Sequence, residues 1–492
     1  LMIMKNSTSL LRKNIQFTLA ISLLFFSCSN DSSNSTDSSN STDIDINPVV
    51  PLKSEFASNL DKIIEGKQIS FTEKSEGEPT SWSWTFEGGT PAKSTEKNPV
   101  ISYSEQGTFK VSLTVSKDDD SETIEKENLI DVLALFDENE VPETQLCKLD
   151  KIFTNDYVDI GFPNNGPSSS LGQVNIQVLF VDFPDAVASQ TTTSIFNLLE
   201  NINTEFYEEM SYGKMGINLL PYHSWLRLSM VSSQYAESLN SSSGHLSFIQ
   251  EAVDLADDQV DFSDTDIVLV MSNPDASEIE YGPTFGSLND SFAINADGNS
   301  ILTGITSGFD FNYWGGIWLA HEMGHSLGLL DLYAYSNSNN HRYVGGFGVM
   351  GIQSGRAPGF FAYERWLLGW IDDSQIYCHS EGSITIEIQE LATEGGIKAL
   401  SVPLNSNKAI LIESRKKKGF DSSMQKEGAL VYVIDTSIPR GQGPLRILQN
   451  SNTGSMKENA PMIAGDIYTY EGVTIEVIES KSSSDIIQVT LQ

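Results

Sequence analysis

The sequence predicts a multidomain chain with a small β-sandwich at 55–133, an α+β domain at 151–375 and an all-β domain at 376–492. Three observations carry this expectation. Between Glu55 and Leu133 apolar and polar residues alternate in short runs separated by Gly, Pro, Asn and Asp, the pattern of half-buried strands. Between 151 and 375, apolar runs of strand length (Val174 to Asp182, Asp266 to Met271) are interleaved with stretches of helical spacing (Thr193 to Met210, His245 to Asp257). From Ser383 onward only strand-like runs recur: Ser383 to Ile388, Ala409 to Glu413, Leu430 to Ile434, Val473 to Ile478 and Ile486 to Leu491. A chain of 492 residues, 39% hydrophobic and 10% aromatic, is long enough for several cores. Its formal charge of −36 excludes a nucleic-acid binder, which needs clustered Lys and Arg. The one basic block, Arg415-Lys416-Lys417-Lys418, reads as a solvated turn between strands.

Residues 1–27 read as a signal segment, with Met4 as the expected start. Lys5, Arg12 and Lys13 precede an apolar run from Ile15 to Phe26 that is too short to span a bilayer comfortably. The run ends in Phe25-Phe26-Ser27-Cys28, which resembles a bacterial lipoprotein box, where a small residue precedes a Cys that becomes lipidated. An ordinary cleaved secretory signal is the alternative. Residues 28–54 form a tether dominated by Ser, Asn, Thr and Asp, too polar to bury a core. Its Ser-Asn-Asp start resembles that of surface-exported lipoproteins of the Bacteroidetes. The resemblance implies a lipid-anchored protein of the cell envelope, at the outer membrane or cell surface or released from it, meeting the membrane through the anchor only.

The β-sandwich segment carries Trp82-Ser83-Trp84-Thr85-Phe86, Gly88-Gly89-Thr90-Pro91, Asn98-Pro99, Tyr103, Gly107-Thr108-Phe109 and Val111-Ser112-Leu113-Thr114-Val115 in that order. This resembles a PKD domain over nearly its whole length. Glu87-Gly88-Gly89 stands where many such domains read Gly-Asp-Gly. A spacer role and a role in binding glycan or protein both remain open, because the fold by itself selects no ligand. A linker at 134–150 follows.

The chemistry sits in Ala320-His321-Glu322-Met323-Gly324-His325-Ser326-Leu327-Gly328-Leu329-Leu330-Asp331, which reads H-E-x-x-H-x-x-G-x-x-D. On a helix, residues four apart share a face, so His321 and His325 can offer two imidazole nitrogens to one Zn²⁺. Glu322 then lies beside the metal, where a carboxylate can accept a proton from activated water and pass it to a leaving amine. Gly328 lets the chain leave the helix with unusual backbone angles, and Asp331 returns to supply a third, oxygen ligand. In a chain with six His, chance production of H-E-x-x-H is on the order of 0.5%, so coincidence does not compete.

The extended motif resembles that of metzincin-like zinc peptidases, in which a Met-containing turn underlies the metal. Gly345-Gly346-Phe347-Gly348-Val349-Met350-Gly351 supplies a Met for such a turn, with Met350 as the candidate floor of the site and a plain packing Met as the alternative. More narrowly, the chain resembles the immune inhibitor A family of secreted bacterial metallopeptidases. Four strings fit in order: Val178-Leu179-Phe180-Val181-Asp182-Phe183-Pro184-Asp185, the stretch from Phe206 to Lys214, Asp331-Leu332-Tyr333, and Leu368-Gly369-Trp370. Leu411 to Arg415 and Val431 to Asp435 echo the family's tail more loosely. The resemblance implies a zincin-like catalytic domain, zinc endopeptidase activity on proteins or glycoproteins, and structural Ca²⁺. Phe347-Gly348-Val349 departs from the Trp-Asp pair that usually precedes the family's Met. A Tyr or His near this turn binds the oxyanion in several zinc peptidases; Tyr363 and His341 are in reach by sequence, each with an ordinary packing or surface role as its plainer reading.

Cys147 and Cys378 bracket the α+β region. In an exported protein their simplest reading is a disulfide clamping its ends; the sharper alternative makes Cys147 an inhibitory thiolate on the metal. The carboxylates Asp257, Asp258, Asp261, Asp264 and Asp266 read as a polar loop or as a calcium site without EF-hand spacing. The expected function is zinc-dependent endopeptidase, with Glu322 as general base and acid. Two alternatives stand beside it: a non-catalytic adhesion or glycan-binding lipoprotein, and a peptidase restricted to glycoproteins such as mucins.

Overall fold

The computed structural model describes residues 50–137, 144–153, 156–335, 339–449 and 456–492. The expected signal segment, Cys28 and the tether as far as residue 49 lie outside them. No helix among the described residues is long and apolar enough to cross a membrane.

Residues 56–133 form two facing sheets. One contains Phe56–Ser58, Gln68–Glu73, Val100–Tyr103 and Gly89–Thr90; the other contains Lys62–Ile64, Asp120–Leu133, Gly107–Lys117, Ser81–Phe86 and Lys93–Ser94. Alternation along Ser81–Phe86 turns Ser83 and Thr85 to solvent and buries Trp84 and Phe86, whose rings stack at 5.6 Å and meet Phe56 and Phe71. In the departing turn, Gly88 holds φ +66° and a Cβ there would strike the Phe109 ring, so the turn keeps the glycine its backbone requires. The sandwich is seated on the C-terminal domain: Lys62 pairs with Glu476 at 2.5 Å and Lys67 with Glu479 at 3.2 Å, and just beyond the sandwich the Phe136 amide donates to the Thr385 carbonyl at 2.8 Å.

The α+β region is built on a five-stranded sheet ordered Met215–Arg227, Gly172–Asp182, Ile267–Ser272, Thr303–Thr306 and Thr284–Gly286. The first four strands run parallel, and the last lies antiparallel at the edge. Gly172–Asp182 and Ile267–Ser272 read as unbroken apolar runs because both faces are covered. Ile176, Val178 and Leu269 point into one core, while Leu179, Val181 and Val270 point into another. Met215–Arg227 carries no comparable signal, since Pro221 and His223 interrupt its pattern. It is a strand because it occupies the opposite edge, where a Pro costs no central ladder bond. Helix Thr192–Ser211 is capped by the Thr191 side chain, which accepts from the Ser194 amide at 3.2 Å. Helix Ser242–Ala256 is capped by Ser241 in the same way.

The C-terminal region contains a five-stranded sheet (Ile376–Cys378, Ala399–Asn405, Lys408–Arg415, Gly428–Asp435, Leu445–Ile447) and a four-stranded one (Ser383–Gln389, Ser484–Leu491, Val473–Ser480, Ile467–Tyr470). Ile410, Ile412 and Val431 fill the space between them. Ala409, Leu411, Leu430 and Tyr432 face the other way and continue the α+β core without a break. The boundary at 376 is therefore not a gap in packing. Cys147 and Cys378 are joined by a disulfide across 231 residues, with Cα atoms 5.9 Å apart.

The basic block corrects the expectation of a solvated turn. Arg415 and Lys416 are buried, at 1% and 4% exposure, because the fold brings carboxylates to them. Arg415 Nε meets Glu413 at 2.6 Å, its terminal nitrogens reach Asp421 and the Gly359 carbonyl, Lys416 meets Asp485 at 2.9 Å and Lys418 meets Glu390 at 2.6 Å. Glu413 also accepts from the Ala362 amide at 2.7 Å and the Tyr432 hydroxyl at 2.8 Å. These bonds tie the tail to the segment that follows Met350.

Two predictions test this junction. Glu413→Gln leaves Arg415 buried against half its countercharge and lowers stability by about 3–5 kcal/mol in urea unfolding, if the variant folds at all. Cys378→Ser, or reduction, lowers stability by about 2–5 kcal/mol, read as a drop in Tm in differential scanning calorimetry.

Candidate metal centre

Helix Ile317–Ser326 sets His321 and His325 one turn apart on the same face, with ring centroids 4.9 Å apart. The chain then turns sharply. Gly328 adopts φ +94°, the Leu329 amide donates to the Gly324 carbonyl at 2.9 Å, and a Cβ at Gly328 would come within 2.2 Å of Asn164 Oδ1. Asn164 meanwhile donates to the Leu327 carbonyl at 2.7 Å, holding the last turn. This reversal returns Asp331 to the His pair, its Oδ1 lying 3.2 Å from His321 Nε2 and 3.3 Å from His325 Nε2.

The tautomers follow from the neighbours. His321 Nδ1 lies 2.9 Å from the Val349 carbonyl, and His325 Nδ1 lies 2.9 Å from the Leu329 carbonyl. A carbonyl only accepts, so each Nδ1 carries a hydrogen, and in the neutral ring each Nε2 presents its lone pair to Asp331. Asp331 Oδ1 is buried and accepts no aligned hydrogen bond, while Oδ2 accepts from the Tyr335 hydroxyl at 2.8 Å. Burial works to raise the Asp331 carboxyl, but the facing imidazoles of His325 and His321 outweigh it and hold it well below the carboxylate range. Burial opposes charge on His325, yet Asp331 lifts that imidazole to about 9. Three ligand atoms within 4.8 Å of one another, with their outer positions already bonded, could hold a single cation once His325 Nε2 gives up the proton that Asp331 favours. No other such His, Cys, Asp and Glu group occurs among the described residues.

Glu322 is buried beside this triad without joining it. Its Oε2 accepts from Thr284 Oγ1 at 2.8 Å, and burial raises its carboxyl, an effect that His321, His325 and Thr284 reduce. Met350 is fully buried with its sulfur against the motif helix, where a Cβ at Gly324 would lie 2.4 Å from Sδ. Its carbonyl accepts from the Leu332 amide at 2.9 Å. The turn needs no Trp-Asp pair, because Gly348 and Val349 donate to the carbonyls of Ala357 and Pro358, both at 2.8 Å.

A cleft of about 520 Å³ opens over these groups, lined among others by His321, Glu322, His325, Tyr333, His341 and Asp310. The structure separates the two residues near the turn. His341 faces the cleft and donates through Nδ1 to the Gly351 carbonyl at 3.0 Å, whereas Tyr363 is in the core against Phe162 and Trp366. Cys147, bonded to Cys378, offers no thiolate to the triad. The acidic loop does not converge: Asp261 accepts from the Ser263 amide and Asp266 from the Asn175 amide. Sequence reasoning missed Thr284 and Asp310, which reach the cleft from segments with no motif of their own. Tyr335, four residues beyond Asp331, was also missed, although its closeness to the motif was a usable signal.

Residues 57–132 match the family model of the PKD domain, so the N-terminal sandwich is a PKD domain. Among solved structures, the crystal structure of the PKD1 domain from Vibrio cholerae metalloprotease PrtV is 30% identical, over 16% of this chain and 96% of that one, at a TM-score of 0.14. No curated protein matches the chain.

Gly328→Ala tests the turn that returns Asp331. A Cβ at this positive φ, against Asn164, lowers stability by about 1–3 kcal/mol in thermal unfolding.

Proposed function

We propose that the chain is a zinc-dependent endopeptidase of immune inhibitor A type with a zincin-like catalytic domain, acting on extracellular proteins from a lipid-anchored position on the cell envelope. The observation that carries the reading is the convergence of His321 Nε2, His325 Nε2 and Asp331 Oδ1, with Glu322 held beside them. Two nitrogens and one carboxylate oxygen suit Zn²⁺, and a three-residue ligand set leaves a coordination position free. When bound, zinc supplies Lewis acidity that acidifies water and polarises a substrate carbonyl.

The protein's own groups do the rest. The Val349 and Leu329 carbonyls fix the imidazole planes, and Tyr335 restrains Asp331. Thr284 aims the Glu322 carboxylate by donating to Oε2. Burial makes Glu322 a better base than an exposed carboxylate, so it takes a proton from the attacking water and returns it to the departing amide nitrogen. Thr284 begins the antiparallel edge strand, whose outer side has no sheet partner among the described residues, so an extended peptide can pair there and present its carbonyl to the cleft. The PKD domain favours an additional binding function, for glycan or protein, that concentrates the enzyme on its target.

The ectodomain is incubated with casein and with mucin, with and without chelator. Cleavage is lost with chelator and restored by ZnCl₂. Glu322→Ala lowers kcat by at least about 10²-fold while one zinc per chain remains by elemental analysis. His321→Ala loses the metal as well. Intact casein and mucin at full zinc occupancy would rule the proposal out in favour of a binding protein, and cleavage of mucin alone would restrict it to glycoproteins.

A further inference from the structure

Asp310 is the buried group in the cleft for which the chemistry above has no use. Its residue is 7% exposed, it lines the same cleft as Glu322, and its Oδ1 has no hydrogen-bond partner. The segment around it is fixed: the Asp310 amide donates to the Glu280 carbonyl at 3.1 Å, and the Phe309 amide to that of Ile279 at 2.7 Å. A buried carboxylate oxygen without a donor is costly unless a ligand completes it.

The rest of the cleft describes that ligand. No Lys or Arg lines it, and Tyr281, Trp314 and Tyr333 supply aromatic surface. Beyond the shared Tyr281–Pro283 stretch, a second hollow is lined by Glu237, Glu278 and Glu280, again without a cationic side chain. The carboxylates of Glu322 and Asp310 both belong to the cleft lining, and no Lys or Arg side chain stands beside either of them there. The backbone amides of Gly282, Gly308 and Phe311 stabilise the Asp310 carboxylate without giving it a countercharge, and aromatic faces around a carboxylate with one oxygen unpartnered are the composition that receives an ammonium or guanidinium group.

We infer that Asp310 is a specificity-determining residue that receives the basic side chain of a Lys or Arg next to the substrate bond presented to the cleft. The inference rests on the peptidase reading for its consequence, but its binding part can be tested without turnover.

Equilibrium binding of a fluorescent hexapeptide containing one Arg is measured against its citrulline and Glu counterparts, using full ectodomain carrying Glu322→Ala. The Arg peptide is expected to bind at least about tenfold more tightly than the citrulline peptide, which has the same shape without the charge. Adding Asp310→Asn abolishes the difference while leaving citrulline-peptide affinity unchanged, which also reports an intact cleft. Equal binding of the Arg and citrulline peptides to the Asp310-containing protein overturns the inference, as does a charge preference that survives Asp310→Asn. In parallel, wild-type cleavage sites in casein are mapped. An Arg preference in binding without any cleavage would leave Asp310's role standing and remove the peptidase reading; cleavage with no enrichment of Lys or Arg at either flanking position would do the reverse.

Discussion

The centre depends on two backbone carbonyls. The Val349 and Leu329 carbonyls each hold one imidazole Nδ1–H, and so turn both Nε2 lone pairs toward Asp331. Without them the rings could rotate or change tautomer, and the donor set would lose its common focus. Each carbonyl has its own support. Val349 belongs to the Met350 turn, held by Ala357 and Pro358, and Leu329 follows the reversal at Gly328. The turn and the glycine are therefore parts of the same device, although Gly328 and Val349 are 21 residues apart.

That device is in turn supported from the C-terminal region. The segment from Gly359 to Ala362 is bonded to Asp421, Arg415 and Glu413, and the five-stranded sheet behind them shares its core with the α+β region. The disulfide joins the chain just before the α+β region to the first strand of that sheet. The tail thus acts as a rear wall for the cleft region, with the buried Arg415, Glu413 and Asp421 group at the junction. The PKD domain meets the other tail sheet through Lys62 and Lys67, and the segment just after it through the Phe136 amide.

Much of this was legible in the sequence where local pattern and burial agree. The H-E-x-x-H spacing can place two His on one face only if it is helical, and the run from Val174 to Asp182 can be apolar throughout only if both its faces are covered. The PKD sandwich was legible because its aromatic, Gly and Tyr positions recur in order. Met215–Arg227 was not, because an edge strand tolerates the Pro and polar residues that erase the pattern.

What the sequence determined by itself is therefore the repeating element and the spaced donor set: alternation, helical period, and a glycine where the backbone must reverse. Only the tertiary structure decided which charges are paired and which groups enter the cleft. Arg415 to Lys418 looked like a solvated turn because, although Glu413 and Asp421 lie close in sequence, the partners of Lys416 and Lys418, Asp485 and Glu390, are brought from elsewhere in the chain. Tyr363 and His341 were equivalent by sequence, yet one went to the core and the other to the cleft. Thr284 and Asp310 became neighbours of Glu322 through sheet and loop packing alone. The physical reason is one of range: backbone periodicity is local, whereas burial and electrostatic pairing join residues that only the folded chain brings together.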